Sequence, residues 1–493
     1  MRTFLFMALL LNGLAATAQV RHDYNWFLAT APSTNPAYGM SRIDFNTNSP
    51  TLSKVEGAMI DIDFVNVSWS ISSGDFRYIS NGCVIIDSTF HTMLNGDSIN
   101  PGEVSFFYCE SGYPLTQGAL VLNDGTDDNK QYIIHLGMEV VAGLAGLPVM
   151  KFYYTIIDGS ANNGLGEVIS KNQILFEDTL ATGQLTAVRH ADGSRWWAVM
   201  PESATNGYYI VLLDGSGPHL HRKQLIGTVQ DARDWAGQAV FSPDGRFYAR
   251  ADGYSGLEVM EFDRCHGAFF NPRHVELPLD EGALLGAAIS PNSRYLYVSS
   301  QVVLLQYDLL APDLAASVDT VGVYDGFESW LPATFFMMQL GPDGKVYMTT
   351  SNGTNVLHVI QQPDLPGAAC QFEQHAMTLP TYYSFSPPNF PNYRLGPAPE
   401  NYCDSVTATV EPPHFGSGLE LFPNPTSGSL TIEVPQTGQP FEIGIWDAMG
   451  RRRALFKNST GNAQLDMADW QPGIYFVVAS SNGHYWREKL LVR

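Results

Sequence analysis

Short apolar runs separated by turn residues dominate residues 24–395. Val, Ile, Tyr, Phe and Trp alternate with polar residues over a few positions, and Gly, Asp, Asn or Pro then interrupts each run. Alternation with a period of two over short runs is typical of β-strands, and the 3.6-residue period of amphipathic helices is almost absent. The pattern predicts an all-β body.

A turn motif recurs four times between an apolar run and an aromatic-rich run. It reads HADG around Asp192, SPDG around Asp244, SPNS around Asn292 and GPDG around Asp343, at separations of 52, 48 and 51 residues. Pro presets one backbone dihedral angle and Gly accepts a positive φ, so each copy is suited to join two antiparallel strands. Further strands follow each pair, which indicates a repeat of about four strands.

A four-stranded sheet repeated at this spacing is typical of a propeller blade, because one small sheet cannot bury both of its faces alone. We therefore predict a seven-bladed β-propeller over residues 19–395, with six or eight blades as alternatives. The seventh blade would join the N-terminal strands to a final strand near residues 384–390, which would remove exposed sheet edges. A β-sandwich with one hairpin repeated by chance is the competing interpretation.

These turn repeats resemble the WD40-like repeats of the TolB type of propeller. The body as a whole resembles exported propeller proteins of Bacteroidetes-type bacteria. The resemblance implies a fold and export, and it implies no particular activity.

The first 18 residues have the pattern of a signal peptide. Arg2 precedes an apolar stretch from Phe4 to Leu14, and Ala16 and Ala18 fit a small-residue cleavage site. An N-terminal membrane anchor is the alternative, but the apolar run is shorter than the roughly 20 residues that span a bilayer. We predict cleavage after Ala18 and no transmembrane segment in the mature chain.

Residues 396–416 are rich in Pro and small polar residues and are predicted to be a linker. The alternation of residues 417–493 predicts a small Ig-like β-sandwich. Its motifs, in chain order, are Pro423-Asn424-Pro425, then Asp447 and Gly450, then Gly473 and Tyr475, and finally Lys489.

These motifs resemble the type A C-terminal sorting domain of the type IX secretion system. The resemblance implies that the export machinery recognises these residues and that the chain passes through the periplasm to the outer-membrane surface or the medium. An Ig-like module that binds the ligand of the body is the alternative.

Charge narrows the choice of partners. The formal net charge is −22, and residues 417–493 contain seven acidic and seven basic residues, so the acidic excess lies before residue 417. An acidic body repels phosphate backbones and anionic lipid headgroups. We therefore expect no nucleic-acid partner and favour a glycan or a surface protein.

Cysteine spacing indicates disulfides rather than a metal site. None of the five cysteines forms a C-x-x-C pair. In an oxidising compartment, chain proximity favours Cys83 with Cys109 and Cys370 with Cys403.

Candidate chemistry is sparse. Trp196 and Trp197, beside His190, are candidate ligand-binding residues because aromatic rings stack on sugars. His219 and His221 share a strand face but have no third metal ligand in view. A solvated turn explains the acidic segment 124–129 better than calcium binding does, and the segment 162–166 lacks a nucleotide-binding glycine pattern.

Neither a G-x-S-x-G motif nor an H-E-x-x-H motif occurs. We therefore assign no catalytic residue, no metal ligand and no cofactor, calcium being the alternative. A binding protein is favoured over an enzyme. The alternatives are an extracellular polysaccharide hydrolase or lyase and a structural adhesion component.

Overall fold

The computed structural model divides the chain into two compact units, residues 1–403 and 404–493. It describes residues 20–30, 35–58, 60–125, 127–141, 146–235, 237–399, 403, 415–416, 419–434, 441–447, 452–459, 463–481 and 484–493. The predicted signal peptide, most of the predicted linker and Gly450 lie outside these residues.

Seven antiparallel sheets of three or four strands follow one another through the described part of the first unit. Sheets 1 and 2 have three strands each: β1 Asn25–Ala29, β2 Met40–Asp44 and β3 Thr51–Val55; β4 Val67–Ser70, β5 Phe76–Ser80 and β6 Ile85–Asp87. Sheets 3 and 4 have four strands each: β7 Ala119–Asp124, β8 Asp127–Met138, β9 Val149–Asp158 and β10 Glu167–Leu180; β11 Thr186–Arg189, β12 Trp196–Pro201, β13 Gly207–Asp214 and β14 Gly217–Leu225.

Sheets 5, 6 and 7 repeat this four-stranded order. Sheet 5 contains β15 Gln238–Phe241, β16 Phe247–Asp252, β17 Gly256–Asp263 and β18 Ala268–Val275, and sheet 6 contains β19 Gly286–Ile289, β20 Tyr295–Ser299, β21 Val303–Asp308 and β22 Asp319–Val323. A two-stranded insertion follows, formed by β23 Glu328–Ser329 and β24 Leu331–Pro332. Sheet 7 contains β25 Phe335–Leu340, β26 Val346–Thr350, β27 Thr354–Ile360 and β28 Phe372–Tyr383. Helices are short: α1 Glu103–Tyr108, α2 Ala161–Gly164 and 3₁₀ turns at Cys109–Ser111, Ala315–Ser317 and Gly367–Cys370.

The repeated turns form as their sequence predicts. At the turn before β16, the amide of Gly245 donates to the carbonyl of Ser242 (2.8 Å), and Gly245 has φ 75°. The Ser242 hydroxyl accepts from the Phe247 amide at 2.8 Å. The turn before β20 uses Ser290 in the same way for the Tyr295 amide (2.8 Å). The same turn geometry therefore precedes the second strand of sheet 5 and the second strand of sheet 6.

The sheets are arranged in a circle. Each first strand contacts the first strand of the next sheet, as β11 does with β15, β15 with β19 and β19 with β25, and contacts of β1 and β2 with β28 join the two ends of the series. The indole ring of Trp26 and the ring of Tyr347 pack at 5.4 Å across this junction. This is the architecture of a β-propeller, as the repeat predicted.

Residues 384–395 contain no strand, contrary to the prediction of a closing strand there. Pro387, Pro388 and Pro391 lack the N–H group that a sheet ladder needs. We call residues 384–395 the central segment, because it runs between the first strands of several sheets. Sheet 1 is built from N-terminal strands alone.

The central segment binds backbone groups at the inner edges of the sheets. The Asn389 side-chain amide donates to the carbonyls of Ala119 (2.9 Å) and Leu185 (3.0 Å). Its backbone amide donates to the Asn66 carbonyl at 3.0 Å, and the Tyr393 hydroxyl donates to the Val121 carbonyl at 2.7 Å. The segment therefore supplies partners that an inner strand edge would otherwise lack.

The side-chain amides of two buried glutamines also bind backbone groups of other sheets. Gln117 donates to the Ala239 carbonyl (3.0 Å) and accepts from the Ala239 amide (2.8 Å). Gln238 donates to the Met338 carbonyl (2.7 Å) and accepts from the amides of Met338 and Ala287 (both 2.9 Å).

The cysteines confirm one predicted pairing and correct the other. Cys83 is joined to Cys109, but Cys403 is joined to Cys265, and Cys370 is a buried free thiol. The reason is that the start of the predicted linker packs on the first unit. The Arg264 guanidinium donates to the Gly396 carbonyl (2.8 Å), and this directs the chain toward the turn that holds Cys265.

The described residues of the second unit form two sheets that enclose a separate apolar core. Their strands are β29 Phe415–Gly416, β30 Glu420–Phe422, β31 Ser429–Glu433, β32 Phe441–Asp447, β33 Arg452–Ser459, β34 Ala463–Asp466, β35 Gly473–Ser481 and β36 His484–Val492. Strands β30, β31 and β34 form one sheet and the others form the second. The predicted small sandwich is confirmed.

Replacing Asn389 with Ala is expected to lower the free energy of unfolding of the first unit by about 2–4 kcal/mol, because two buried carbonyls lose their donor. Chemical denaturation of the mature protein measures this change. Asn392→Ala is the matched control, since Asn392 is half-buried and donates to one carbonyl, that of Pro243 (2.8 Å). Equal losses for the two variants would contradict the role given to Asn389.

A carboxyl pair before β4 makes stability depend on pH. Burial, followed by the charge of Asp63, raises the pKa of Asp61 to about 8. The folded state therefore holds a proton that the unfolded chain releases, so stability decreases as pH rises from about 4 to 8. Asp61→Asn should reduce this decrease by roughly 1–2 kcal/mol, measured by thermal unfolding across that range.

The control for this experiment is Asp280→Asn, which changes an exposed carboxylate. It should leave the pH slope as it is in the wild-type protein. A slope that D61N does not alter would show that the carboxyl pair is not its source.

Candidate functional site

An open cavity of about 230 Å³ lies beside the repeated turns, several of whose residues line it. We call it the mouth cavity. It is lined by residues 186–188, 239–243, 287–289, 291, 338–342, 344 and 389–392, together with Asp23, Gln117 and Arg394. Four first strands and the central segment therefore build its wall.

Apolar side chains that are only half-buried form much of this wall. They are Val240, Phe241, Pro243, Pro291, Leu340 and Pro342. Each lies within a few positions of a repeated turn, so the repeat that builds the sheets also sets these side chains around the opening. The sequence signal for the site was the turn repeat itself.

The polar groups of the mouth cavity already have partners within the protein. The side-chain amides of Gln117, Asn389 and Asn392 bind backbone or one another. Asp23 is the one carboxylate among the described residues of the wall, and it pairs with Arg394 at 2.5 Å. The cavity therefore presents an apolar surface with a neutralised ion pair.

Exposed carboxylates stand outside this apolar wall. Asp244 and Asp343 occupy the tips of two repeated turns and are exposed. The Asp244 carboxylate accepts from the Arg246 amide (3.0 Å), and Asp343 accepts from the Tyr347 hydroxyl (2.8 Å). The turn motif thus places each carboxylate next in the chain to residues that line the opening, Pro243 for Asp244 and Pro342 and Gly344 for Asp343, and we call these turn tips the rim of the mouth cavity.

The predicted ligand-binding residues lie in the core. Trp196 is fully buried and Trp197 is 2% exposed, while His190 is 5% exposed. The Trp197 indole N–H donates to the Arg264 carbonyl at 2.7 Å, and the Arg189 guanidinium lies 4.0 Å from the centre of the Trp196 ring. Stacking on a sugar needs an exposed ring face, and neither ring has one.

The physical reason is the circular arrangement. Alternation along β12 turns the two rings to opposite faces of sheet 4, as expected for adjacent strand residues. In a propeller, however, both faces of an inner strand are covered by the neighbouring sheets. A rule that assigns one face to solvent therefore fails for β12.

The other residues considered for metal binding have separate partners. The His219 and Asp214 side chains lie 3.9 Å apart, whereas His221 hydrogen-bonds the carbonyl of His266 (3.1 Å). In the acidic turn, the Asp127 carboxylate accepts from the Asn129 amide (2.9 Å). Across the described residues, no group of three or more His, Cys, Asp or Glu side chains is placed to hold a metal ion.

The sorting motifs come together in the second unit. The Asn424 side chain donates to the Lys489 carbonyl (2.6 Å) and accepts from the Leu491 amide (2.9 Å). This joins the opening Pro423-Asn424-Pro425 motif to the terminal strand β36, where Lys489 is exposed. Tyr475 is buried, and its hydroxyl donates to the Gln471 carbonyl at 2.8 Å.

The remaining motif positions lie at strand boundaries. Gly473 begins β35 and Asp447 ends β32. The described part of the chain contains no helix that is long and apolar enough to cross a membrane.

Comparisons with known proteins identify the second unit. Residues 420–493 match the family described as the secretion system C-terminal sorting domain. None of the curated proteins searched matches the sequence.

The first unit is similar to solved propeller structures. The β-propeller domain of Cps50 (Swd1) from Myceliophteria thermophila shares 9% identity, with 68% of this chain and 94% of that chain covered and a TM-score of 0.34. The periplasmic gluconolactonase PpgL of Pseudomonas aeruginosa shares 12%, with 74% and 98% covered and a TM-score of 0.40.

PorZ of Porphyromonas gingivalis, a surface component of the type IX secretion system, shares 11% identity over 92% of this chain and 79% of that chain, with a TM-score of 0.27. The family match and the sheets together make the chain a β-propeller protein whose residues 420–493 belong to the type IX secretion sorting domain and direct its export to the cell surface or the medium.

Proposed function

We propose that the exported propeller binds a protein partner at the cell surface through the mouth cavity. The partner would insert an apolar side chain into the cavity and place basic residues against its rim. The observation that carries this proposal is the half-exposed apolar wall set inside a rim of exposed carboxylates.

The chemistry of the wall supports a protein over a glycan. A sugar needs several free hydrogen-bonding groups, whereas the side-chain amides of the mouth cavity are already bonded within the protein. An apolar side chain needs only surface to cover, and Val240, Leu340 and Pro342 provide it. The cavity volume of about 230 Å³ suits one large side chain.

The charge of the body supports a basic partner. The acidic excess of the chain lies before residue 417, and Asp244 and Asp343 add local negative potential at the rim. Complementary charges around an apolar centre accelerate association and exclude acidic competitors. Such binding weakens as ionic strength rises.

The alternative of hydrolysis has less support at this position. Acid–base cleavage of a glycosidic bond ordinarily uses two carboxyl groups. Asp23 is the one carboxylate among the described residues of the wall, and it forms an ion pair with Arg394.

A purely structural role would leave no accessible opening. Near the start of β25, away from the turn around Asp343, Phe336 and Met337 are buried and pack with Phe385, whose ring stacks on Phe64 at 5.0 Å. Apolar side chains therefore fill the space at the start of β25, whereas the mouth cavity at its other end is open. This asymmetry supports binding at the mouth cavity.

Replacing Leu340 with Asp is expected to weaken binding of basic, apolar-anchored peptides roughly tenfold or more, because a charge would be placed in the apolar wall. The peptides would be selected from a random display library on the purified mature protein, and their affinities measured by calorimetry. Higher salt should weaken wild-type binding in the same assay.

Val302→Asp is the matched control, because Val302 is an exposed apolar residue outside the mouth cavity. It should bind the selected peptides like wild type. Equal affinities for L340D and wild type, with both proteins folded, would contradict the proposal. Binding of glycans, and not of peptides, to the mouth cavity of the wild-type protein would contradict the proposal too.

Asn424→Ala should reduce the fraction of protein that reaches the cell surface, because it releases the opening motif from β36 at a cost of about 1 kcal/mol. Protease accessibility on intact cells measures that fraction. A variant that lacks residues 420–493 should accumulate in the periplasm, and its surface fraction sets the lower limit of the measurement.

Ser427→Ala changes an exposed residue in the same turn and is the control for this variant. It should be exported like wild type. Surface display of the deletion variant would show that residues 420–493 are not the export signal.

A further inference from the structure

A second cavity, of about 180 Å³, lies between sheets 2 and 3. Trp69 of β4 and Tyr78 of β5 line it from sheet 2, and Asp128 and Gln131 of β8 line it from sheet 3. It shares no lining residue with the mouth cavity. We call it the side pocket.

Three buried polar atoms of the side-pocket residues lack hydrogen-bond partners. They are the indole Nε1 of Trp69, the hydroxyl of Tyr78 and the Oε1 of Gln131, and each side chain is 1% exposed. An unpaired buried polar group costs about 1–3 kcal/mol, so such groups are rare unless something binds them. The three residues that carry these atoms, an indole donor, a hydroxyl and an amide acceptor, all line the side pocket.

The charged groups of the side pocket come from both sheets. The Asp128 carboxylate lies 3.2 Å from His22 Nε2 and 3.3 Å from the Asn123 amide nitrogen. Opposite it, the Arg77 guanidinium makes a 3.5 Å contact with the Gly164 carbonyl and is half-buried. Because one anionic and one cationic side chain line the same cavity, their opposite charges favour neither sign of net charge in a ligand.

We propose that the side pocket binds one neutral sugar residue. Sugar hydroxyls both donate and accept, so a single ring can satisfy an indole N–H, a phenolic hydroxyl, an amide oxygen and both charged groups. The volume is suited to a single small ring and not to an extended chain. This site is independent of the mouth cavity and of the protein partner proposed there.

The backbone of the β9–β10 connection shapes the wall. Asn162, Asn163 and Gly164 have φ values of 49°, 56° and 84°. The chain therefore turns sharply in this connection, and Gly159, Gly164 and Gly166 line the side pocket together with Gln131. This connection and the acidic turn, which looked unrelated in the sequence, meet at the side pocket.

Tyr78→Phe tests the proposal cleanly, because it removes a hydroxyl that has no partner within the protein. Folding should be unharmed. Saturation-transfer NMR and calorimetry on the mature protein would use a panel of neutral monosaccharides at millimolar concentration. At least one should bind the wild-type protein saturably, and Y78F should bind it roughly tenfold more weakly.

Tyr248→Phe is the matched control. The Tyr248 hydroxyl is also buried and unpartnered, but it does not line the side pocket. Y248F should bind the sugar like wild type.

Three outcomes would overturn the proposal. No saturable binding of any sugar, with only ordered water at the three atoms in a crystal soaked with the panel, would make the side pocket a hydration site. Equal affinity in Y78F would place the sugar elsewhere. Binding of free amino acids in place of sugars would show that Asp128 and Arg77 bind the two opposite charges of a zwitterion.

Discussion

The inner edge of each sheet is the constraint on which the first unit depends. A strand at a sheet edge has unpaired N–H and C=O groups, and the circular arrangement turns these edges toward the centre, where water is scarce. Side-chain amides resolve the conflict, since one amide group donates and accepts at once. Gln117, Gln238 and Asn389 bind backbone at five positions of the first strands or just before them.

This solution determines where ligands can bind. Because the central segment and the glutamines occupy the centre of the circle of sheets, open space remains in the mouth cavity and between neighbouring sheets. The mouth is lined by strand ends that are already paired, so it offers apolar surface. The side pocket is lined by Trp69, Tyr78 and Gln131, each of which has one polar atom without a hydrogen-bond partner in the protein.

The sequence predicted the parts of the fold that arise from local chemistry. The turns around Asp244 and Asn292 depend on a Ser hydroxyl and an Asp or Asn side chain within a few residues, and they formed as predicted. The pairing of Cys265 with Cys403 and the path of the central segment depend on contacts between residues more than a hundred positions apart. Spacing along the chain carries no information about such contacts.

The burial of Trp196 and Trp197 shows why the candidate ligand site could not be found from aromatic residues. Large rings are what two packed sheets need between them, so the aromatic-rich strand of each repeat serves the core first. Polar residues next to strands were the better signal, although they are ambiguous. Gln117 and Gln238 use both the nitrogen and the oxygen of their amides to bind backbone groups of other sheets, whereas Gln131, which is also buried, has an unpaired amide oxygen and lines the side pocket. Only the three-dimensional arrangement distinguishes a glutamine whose amide is fully paired with backbone from one whose oxygen has no partner in the protein.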